Sequence, residues 1–336
     1  MSKQTFRLGT RGSLLALTQS RQIADALEKL HPNLQIELII IKTTGDIITD
    51  KPLHEAGGKG LFTKELELAL INNDVDFAVH SYKDVPVTMP LVDVTSLSIA
   101  ATPTREDFRD VLAFGTFGLD KIHVTTLESG ESGHAIELPK NLMDIPAGSR
   151  IGTGSLRRAC QIRHHRPDLL IVPIRGNIDT RLRKLRDGDF DVVVLAMAGL
   201  HRTRLFDATQ MRVIESDVMV PASCQGALAL QCRTDDRLTM EILKTIHDPD
   251  TELCVNAERE IVRGLNGDCK SPIGVLAELA GDIFHLRTFV GPAEGATGAA
   301  LSHAQSGKKG DAADITRQML HWLNHQNVQP LLHPNR

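Results

Sequence analysis

No apolar run in the chain is long enough to cross a membrane: the longest, Ile36 to Ile41 and Val192 to Leu200, fall far short of the roughly 18 residues a spanning helix needs. The start, MSKQTFRLGTRG, has no signal-peptide core before its first glycine-rich turn, so a cytoplasmic protein is expected. Cysteine is scarce: Cys160, Cys224, Cys232, Cys254 and Cys269 make an odd number, with no CxxC pair and no metal-ligand spacing. That excludes a disulfide framework and a zinc site and points to reduced thiols. There is no Walker lysine-serine pair, and Gly152-x-Gly154-x-x-Arg157 puts arginine where a dinucleotide fingerprint wants its third glycine. Nor is there an overall basic excess, since 38 Lys+Arg stand against 42 Asp+Glu for a net charge of -4. Nucleic acid and membrane are therefore not expected as partners.

What positive charge there is lies in one place. Between Gly148 and Arg186 stand nine arginines (Arg150, Arg157, Arg158, Arg163, Arg166, Arg175, Arg181, Arg183 and Arg186) and Lys184, against only Asp168 and Asp179. Guanidinium forks pair two-pronged with carboxylate or phosphate, so a local block of this kind points to a pocket for a small polyanion.

The 336 residues are too many for one ordinary core and predict two or three domains. The pattern predicts a strand over Thr5 to Leu8, a turn, a helix over Leu14 to Leu30 capped by Ser13, and a strand over Ile36 to Ile41. A Gly57-Gly58-Lys59-Gly60 loop, a helix over Leu61 to Ile71 and a strand over Phe77 to His80 follow. The region around Arg150 repeats this plan: RIGTGSL echoes RLGTRGSL, a strand is predicted over Leu169 to Ile174, and Asp187-Gly188-Asp189-Phe190-Asp191 precedes Val192 as Asp74-Val75-Asp76 precedes Phe77. The expected fold class is α/β: two similar βαβ-rich lobes with parallel sheets facing across a cleft, and a smaller α+β domain after them. The expected division is 1–102 with 222–246, 103–221 with an inserted loop at about 115–147, and 247–336. Ligands of open α/β sheets bind beyond the carboxyl ends of strands, where both Gly-Thr-x-(Gly)-Ser turns lie and helix N-termini favour anions.

Ser81-Tyr82-Lys83-Asp84-Val85-Pro86 follows a strand and so faces the cleft. Asp84 is the acid/base candidate, because a carboxylate among cations stays ionised and can stabilise a developing positive charge; Lys83 can hold substrate carboxylates. His80, inside an apolar strand, reads as a core histidine. Cys269 differs from the other thiols in lying in a Gly/Asp/Pro loop, whereas Cys160, Cys232 and Cys254 lie in elements where burial is the default.

Seven segments in order, RLGTRGSLLALTQS, GGKGLFTKELE, VDFAVHSYKDVP, IGTGSLRRACQIRHHRPDL, IRGNIDTRLRKL, PASCQGALAL and NGDCKSPIG, resemble the porphobilinogen deaminase family of tetrapyrrole biosynthesis, from residue 6 to about 277. The resemblance implies lobes like those of periplasmic binding proteins and a third domain whose Cys269 carries a dipyrromethane cofactor through a thioether. It implies Asp84 as catalytic residue, with Ser13, Ser81, Lys83, Asp84, Ser155, Arg157 and Arg158 on the cofactor. It further implies Arg11, Gln19, Lys59, Arg175, Arg181 and Arg202 on the substrate porphobilinogen, and a monomer. The competing reading is a non-catalytic anion-binding or sensor protein of the same two-lobed shape, which would need neither Asp84 nor Cys269.

Three departures stand out. The 114–147 stretch is longer than usual, with a Gly/Ser/Glu-rich middle suited to a disordered loop; Cys224 replaces a glycine before Gln225-Gly226; and Thr18 stands where an aromatic is common. The final NVQPLLHPNR is expected to be a frayed tail.

Overall fold

The computed structural model describes residues 3–47, 60–88, 92, 95–115, 138–268, 271–293, 295–296 and 298–333. Cys269, Lys59 and the Gly/Ser/Glu-rich loop residues 116–137 lie outside them.

The first lobe opens with β1 (Gln4–Thr10), α1 (Leu14–Leu30), β2 (Leu34–Ile40), α2 (Thr44–Ile47), α3 (Lys64–Ile71), β3 (Phe77–Ser81) and β4 (Leu97–Ala101). Ser13 caps α1 by accepting from the Ala16 N–H at 3.3 Å, as its place after the turn predicts. The buried face of α1 is Gln19, Ser20, Ile23, Ala24 and Leu27, whereas Leu14 and Leu30 are exposed at its ends. The polar end of this face is satisfied within the lobe: the Ser20 hydroxyl donates to Thr10 Oγ1 at 2.7 Å, and Gln19 accepts from the Ser81 hydroxyl at the end of β3.

The second lobe holds β5 (Asp110–Phe114), β6 (Arg150–Gly152), α4 (Leu156–His165), β7 (Leu170–Val172), α5 (Ile178–Arg186), β8 (Val192–Ala196), α6 (Met197–Thr203) and β9 (Met211–Ile214). The chain then returns to the first sheet as β10 (Leu228–Arg233) and α7 (Arg237–Lys244). Strand orders are β2-β1-β3-β10-β4 and β7-β6-β8-β5-β9. The sheets are mixed, which corrects the expectation of parallel ones. Three strands run parallel in each, but the fourth, β10 or β5, is antiparallel to both neighbours. In both lobes this fourth strand is the first one laid down after the chain crosses over, so the duplication extends to the manner of entry. Apolar faces close each lobe: Leu8, Leu27, Phe77 and Leu230 in the first, Ile151, Ile162, Val192 and Val194 in the second. The end of the inserted stretch belongs to this second core, since Leu138, Leu142 and Ile145 are buried in it; only part of 115–147 could be a loop.

The third region is α8 (Pro249–Gly264), the antiparallel sheet β11 (Ile273–Ala280), β12 (Ile283–Val290) and β13 (Leu301–Lys308), then α9 (Ala312–His325) and α10 (Gln329–Leu332). The expected frayed tail is instead the short α10, with Leu331 and Leu332 buried, because Val328 and Leu332 complete the core under α8 and α9. Cys160 is half-buried, not buried, and its thiol donates to the Pro292 carbonyl at 3.1 Å, tying α4 to this region. No helix among the described residues is long and apolar enough to cross a membrane.

Two chain segments, 102–109 and 215–227, cross between the lobes. Their backbones touch where the Glu106 N–H donates to the Gly226 carbonyl at 3.2 Å. Gly226 has φ +89°, and a Cβ there would stand 2.3 Å from the Glu106 oxygen, so no other residue fits. Cys224 sits at φ +60°, the left-handed conformation that glycine adopts without strain, which explains why glycine suits this position. Its N–H donates to buried Glu258 of α8, which also pairs with Arg105 of the first crossing at 2.7 Å. All three regions are thereby pinned at one buried point.

Candidate active site

The turns after β1, β3 and β6 all open at the carboxyl ends of their strands. Ser155 caps α4 by accepting from the Arg158 N–H at 3.4 Å, as Ser13 caps α1. The second and third residues of α4 are Arg157 and Arg158, 4% and 5% exposed. Both face Asp110, the fully buried first residue of β5: Arg157 pairs with Oδ2 at 2.8 Å and Arg158 with Oδ1 at 2.7 Å. Each arginine also donates to a carbonyl, Arg157 to Val220 at 2.7 Å and Arg158 to Val194 at 2.8 Å. Burial alone would push the Asp110 carboxyl up, but the two guanidiniums outweigh it and hold it well below the usual carboxylate range.

From the first lobe, β3 ends at Ser81 and a single 3-10 turn carries Tyr82, Lys83 and Asp84. Lys83 Nζ donates to Gln225 Oε1 at 3.2 Å, and burial lowers its ammonium to about 8, with Asp84 and Asp110 opposing and Arg158 and Arg157 reinforcing. Asp84 is exposed and within electrostatic reach of Lys83 and of Arg181 on α5. Burial, helped by Arg158 and opposed by Asp84, lowers the Arg181 guanidinium to about 10. The structure thus brings Lys83, Asp84, Arg157, Arg158 and Arg181 together from both lobes.

Other expected residues stand nearby or apart. The Ser81 hydroxyl donates to Gln19 at 3.1 Å, and Arg11 lies over the Phe62 ring, 4.1 Å from its centre. The Arg202 guanidinium donates to the Gly226 carbonyl at 2.7 Å, next in sequence to Gln225, and lies within electrostatic reach of Glu106. Arg175 is half-buried, and its Nη2 has no hydrogen-bond partner; the same holds for Nε of Arg157. His80 is a core residue, bonded to Gln231 at 3.0 Å and pushed down to about 4 by burial, so it stays neutral. Asp268 and Ser271, which flank positions 269 and 270, bond each other through the Ser271 hydroxyl at 3.1 Å. Arg166 pairs with Asp168 at 2.6 Å, whereas Arg163, Arg183 and Arg186 are exposed, as expected of solvated helix faces.

Asp110, Gln225 and Phe62 were not among the expected site residues. Asp110 had one signal, an acid opening the apolar run Val111 to Phe114, where a buried charge needs a partner.

The donor set suits carboxylates: guanidiniums and an ammonium converge from two walls, and two buried N–H bearing nitrogens, on Arg157 and Arg175, lack acceptors. Fold and site define a two-lobed α/β protein with a cationic cleft around one exposed carboxylate. A family model described as porphobilinogen deaminase, dipyromethane cofactor binding domain, matches residues 6–241, and one described as porphobilinogen deaminase, C-terminal domain, matches residues 252–321. The chain is 44% identical to a porphobilinogen deaminase of Syntrophobacter fumaroxidans over 295 residues, 88% of this chain and 87% of the relative. It is 42% identical to one of Roseiflexus sp. over 293 residues, 87% of this chain and 88% of the relative. The chain belongs to the porphobilinogen deaminase family.

Proposed function

We propose that this chain deaminates porphobilinogen and joins four molecules head to tail into the linear tetrapyrrole hydroxymethylbilane, on a dipyrromethane primer held by Cys269. The observation that carries this reading is the meeting of Lys83, Arg157, Arg158 and Arg181 from opposite walls around the exposed Asp84. When bound, the dipyrromethane supplies the free α-carbon from which the chain grows. Each porphobilinogen loses ammonia and becomes an electrophilic azafulvenium ion, and Asp84 beside its pyrrole N–H stabilises that cation. Lys83 and the arginines hold the acetate and propionate arms, which orients each ring for attack. Primer and four added rings carry about twelve carboxylates, so a cleft without dense guanidinium could not hold them out of water.

In this reading Ser13, Ser81, Lys83, Asp84, Ser155, Arg157 and Arg158 serve the primer, and Arg11, Gln19, Lys59, Arg175, Arg181 and Arg202 the incoming substrate. The chain divides into 1–102 with 222–246, 103–221 and 247–336, and works as a cytoplasmic monomer on a small molecule. Asp84→Asn tests the chemistry. The variant should keep its far-ultraviolet circular dichroism while hydroxymethylbilane formation falls about 10²–10³-fold, the usual loss when one electrostatic stabiliser is removed. Normal turnover would strip Asp84 of its role.

A further inference from the structure

Gln225, in the return crossing, is 1% exposed and spans the junction of the lobes. Its Nε2 donates to Asp110 Oδ1 at 2.9 Å and to the Phe108 carbonyl at 2.7 Å, and its Oε1 accepts from Lys83 Nζ at 3.2 Å. Two acceptors on one side and an ammonium on the other set the orientation of the amide. Glutamate could not serve, because it would point a carboxylate at Asp110. One continuous hydrogen-bonded path therefore runs from Arg157 and Arg158 of the second lobe, through Asp110 and Gln225, to Lys83 of the first.

The fold does not require this path. At the matching places in the first lobe, the second and third residues of α1 are Leu15 and Ala16, where α4 has Arg157 and Arg158. The strand position opposite the end of β3 is Leu228, where Asp110 stands opposite the end of β8. A buried ion cluster is seldom more stabilising than apolar residues of similar size, and cations at a helix N-terminus oppose its dipole. The second lobe keeps the cluster although the same scaffold closes without it, which points to a role in the site.

We propose that Asp110 and Gln225 are positioning residues, a buried relay that holds Lys83 at a set spacing from Arg157 and Arg158, so that both walls grip the carboxylates of the primer and the chain growing on it as one unit. The proposal rests on the function assigned above. Asp110 acts on Lys83 without touching it, by fixing which way the Gln225 amide points.

The test uses purified holoenzyme of the wild type, Asp110→Asn, Gln225→Met, Lys83→Met and the double variant Gln225→Met/Lys83→Met. Brief acetylation with acetic anhydride, read by peptide mass, should label Lys83 several-fold faster in Asp110→Asn and Gln225→Met, while exposed Lys64 on α3 labels at the wild-type rate as internal reference. In kinetics, each single change at 83 or 225 should lower kcat/KM for porphobilinogen about tenfold, and the double variant should be no worse than the worse single one. Unchanged Lys83 labelling in Asp110→Asn, or kcat/KM losses that multiply to about a hundredfold in the double variant, would overturn the relay. Should Asp110→Asn fail to fold, labelling of Gln225→Met and the double-variant cycle decide alone. A wild type that carries no two-pyrrole mass and makes no hydroxymethylbilane would defeat the functional reading, and the labelling would still judge the relay.

Discussion

The two lobes share a scaffold and differ in what they bury. In each, an arginine of the first parallel strand uses its backbone N–H to reach an aspartate just before a later strand: Arg7 to Asp76 at 2.7 Å and Arg150 to Asp191 at 2.7 Å. In each, a serine after the Gly-Thr turn caps the following helix. Past the cap they part, with Leu15, Ala16 and Leu228 in the first lobe and Arg157, Arg158 and Asp110 in the second. The comparison teaches that the repeated residues build the fold, while the departures from repetition carry the charge. The first lobe departs in its own way, by placing Lys83 and Asp84 in the turn after β3, where the second lobe has Ala198 and Gly199 in the first turn of α6.

That contrast can be broken most severely at Asp110. Asp110→Ala leaves two buried guanidiniums without their carboxylate and should cost about 3–5 kcal/mol, read from the urea midpoint. Replacing all three charged residues by the first lobe's apolar ones (Asp110→Leu, Arg157→Leu, Arg158→Ala) should instead fold about as stably as the wild type, with turnover lost. A graft that unfolds would show that the second lobe needs its ions to fold.

A milder test uses pH. The Lys83 ammonium, lowered to about 8 by burial, is charged below that value and loses its proton as pH rises through it. Carboxylate binding to cofactor-free chain should therefore weaken as pH climbs past about 8, and Lys83→Arg should carry binding to higher pH because guanidinium stays charged. Affinity that is flat from pH 7 to about 9 would count against Lys83 as a carboxylate anchor.

The smallest effects should fall on the shared parts. Ser13→Ala and Ser155→Ala each remove one helix cap and should cost about 1 kcal/mol in thermal or urea unfolding, nearly alike in the two lobes. A much larger loss for one would mean that its serine does more than cap.

Much of this was legible in the sequence because the signals were local. The bounds of α1 follow from Ser13 at one end and Pro32 beyond the other, and the echo of RLGTRGSL in RIGTGSL exposed the duplication. Lys83 and Asp84 could be placed in the cleft from their position after an apolar strand. What escaped were features made by distant partners. Asp110 meets Arg157 and Arg158 only after the chain has folded back 47 and 48 residues, and Gln225 meets Lys83 across 142. The antiparallel entry of β5 and β10 is likewise a matter of pairing, invisible in either strand's own residues. Val328 and Leu332 looked like part of a loose end because the core that seats them is built from α8, α9 and the third sheet.

The central claim is that this cleft holds a covalently tethered, growing polycarboxylate. Intact-mass spectrometry of the purified protein, followed by mapping of the peptide containing Cys269, tests it directly. The account predicts a mass above that of the bare chain by one two-pyrrole adduct, located on Cys269 and extended in ring-sized steps on brief exposure to porphobilinogen. A mass equal to the bare chain, with Cys269 unmodified after that exposure, would contradict it.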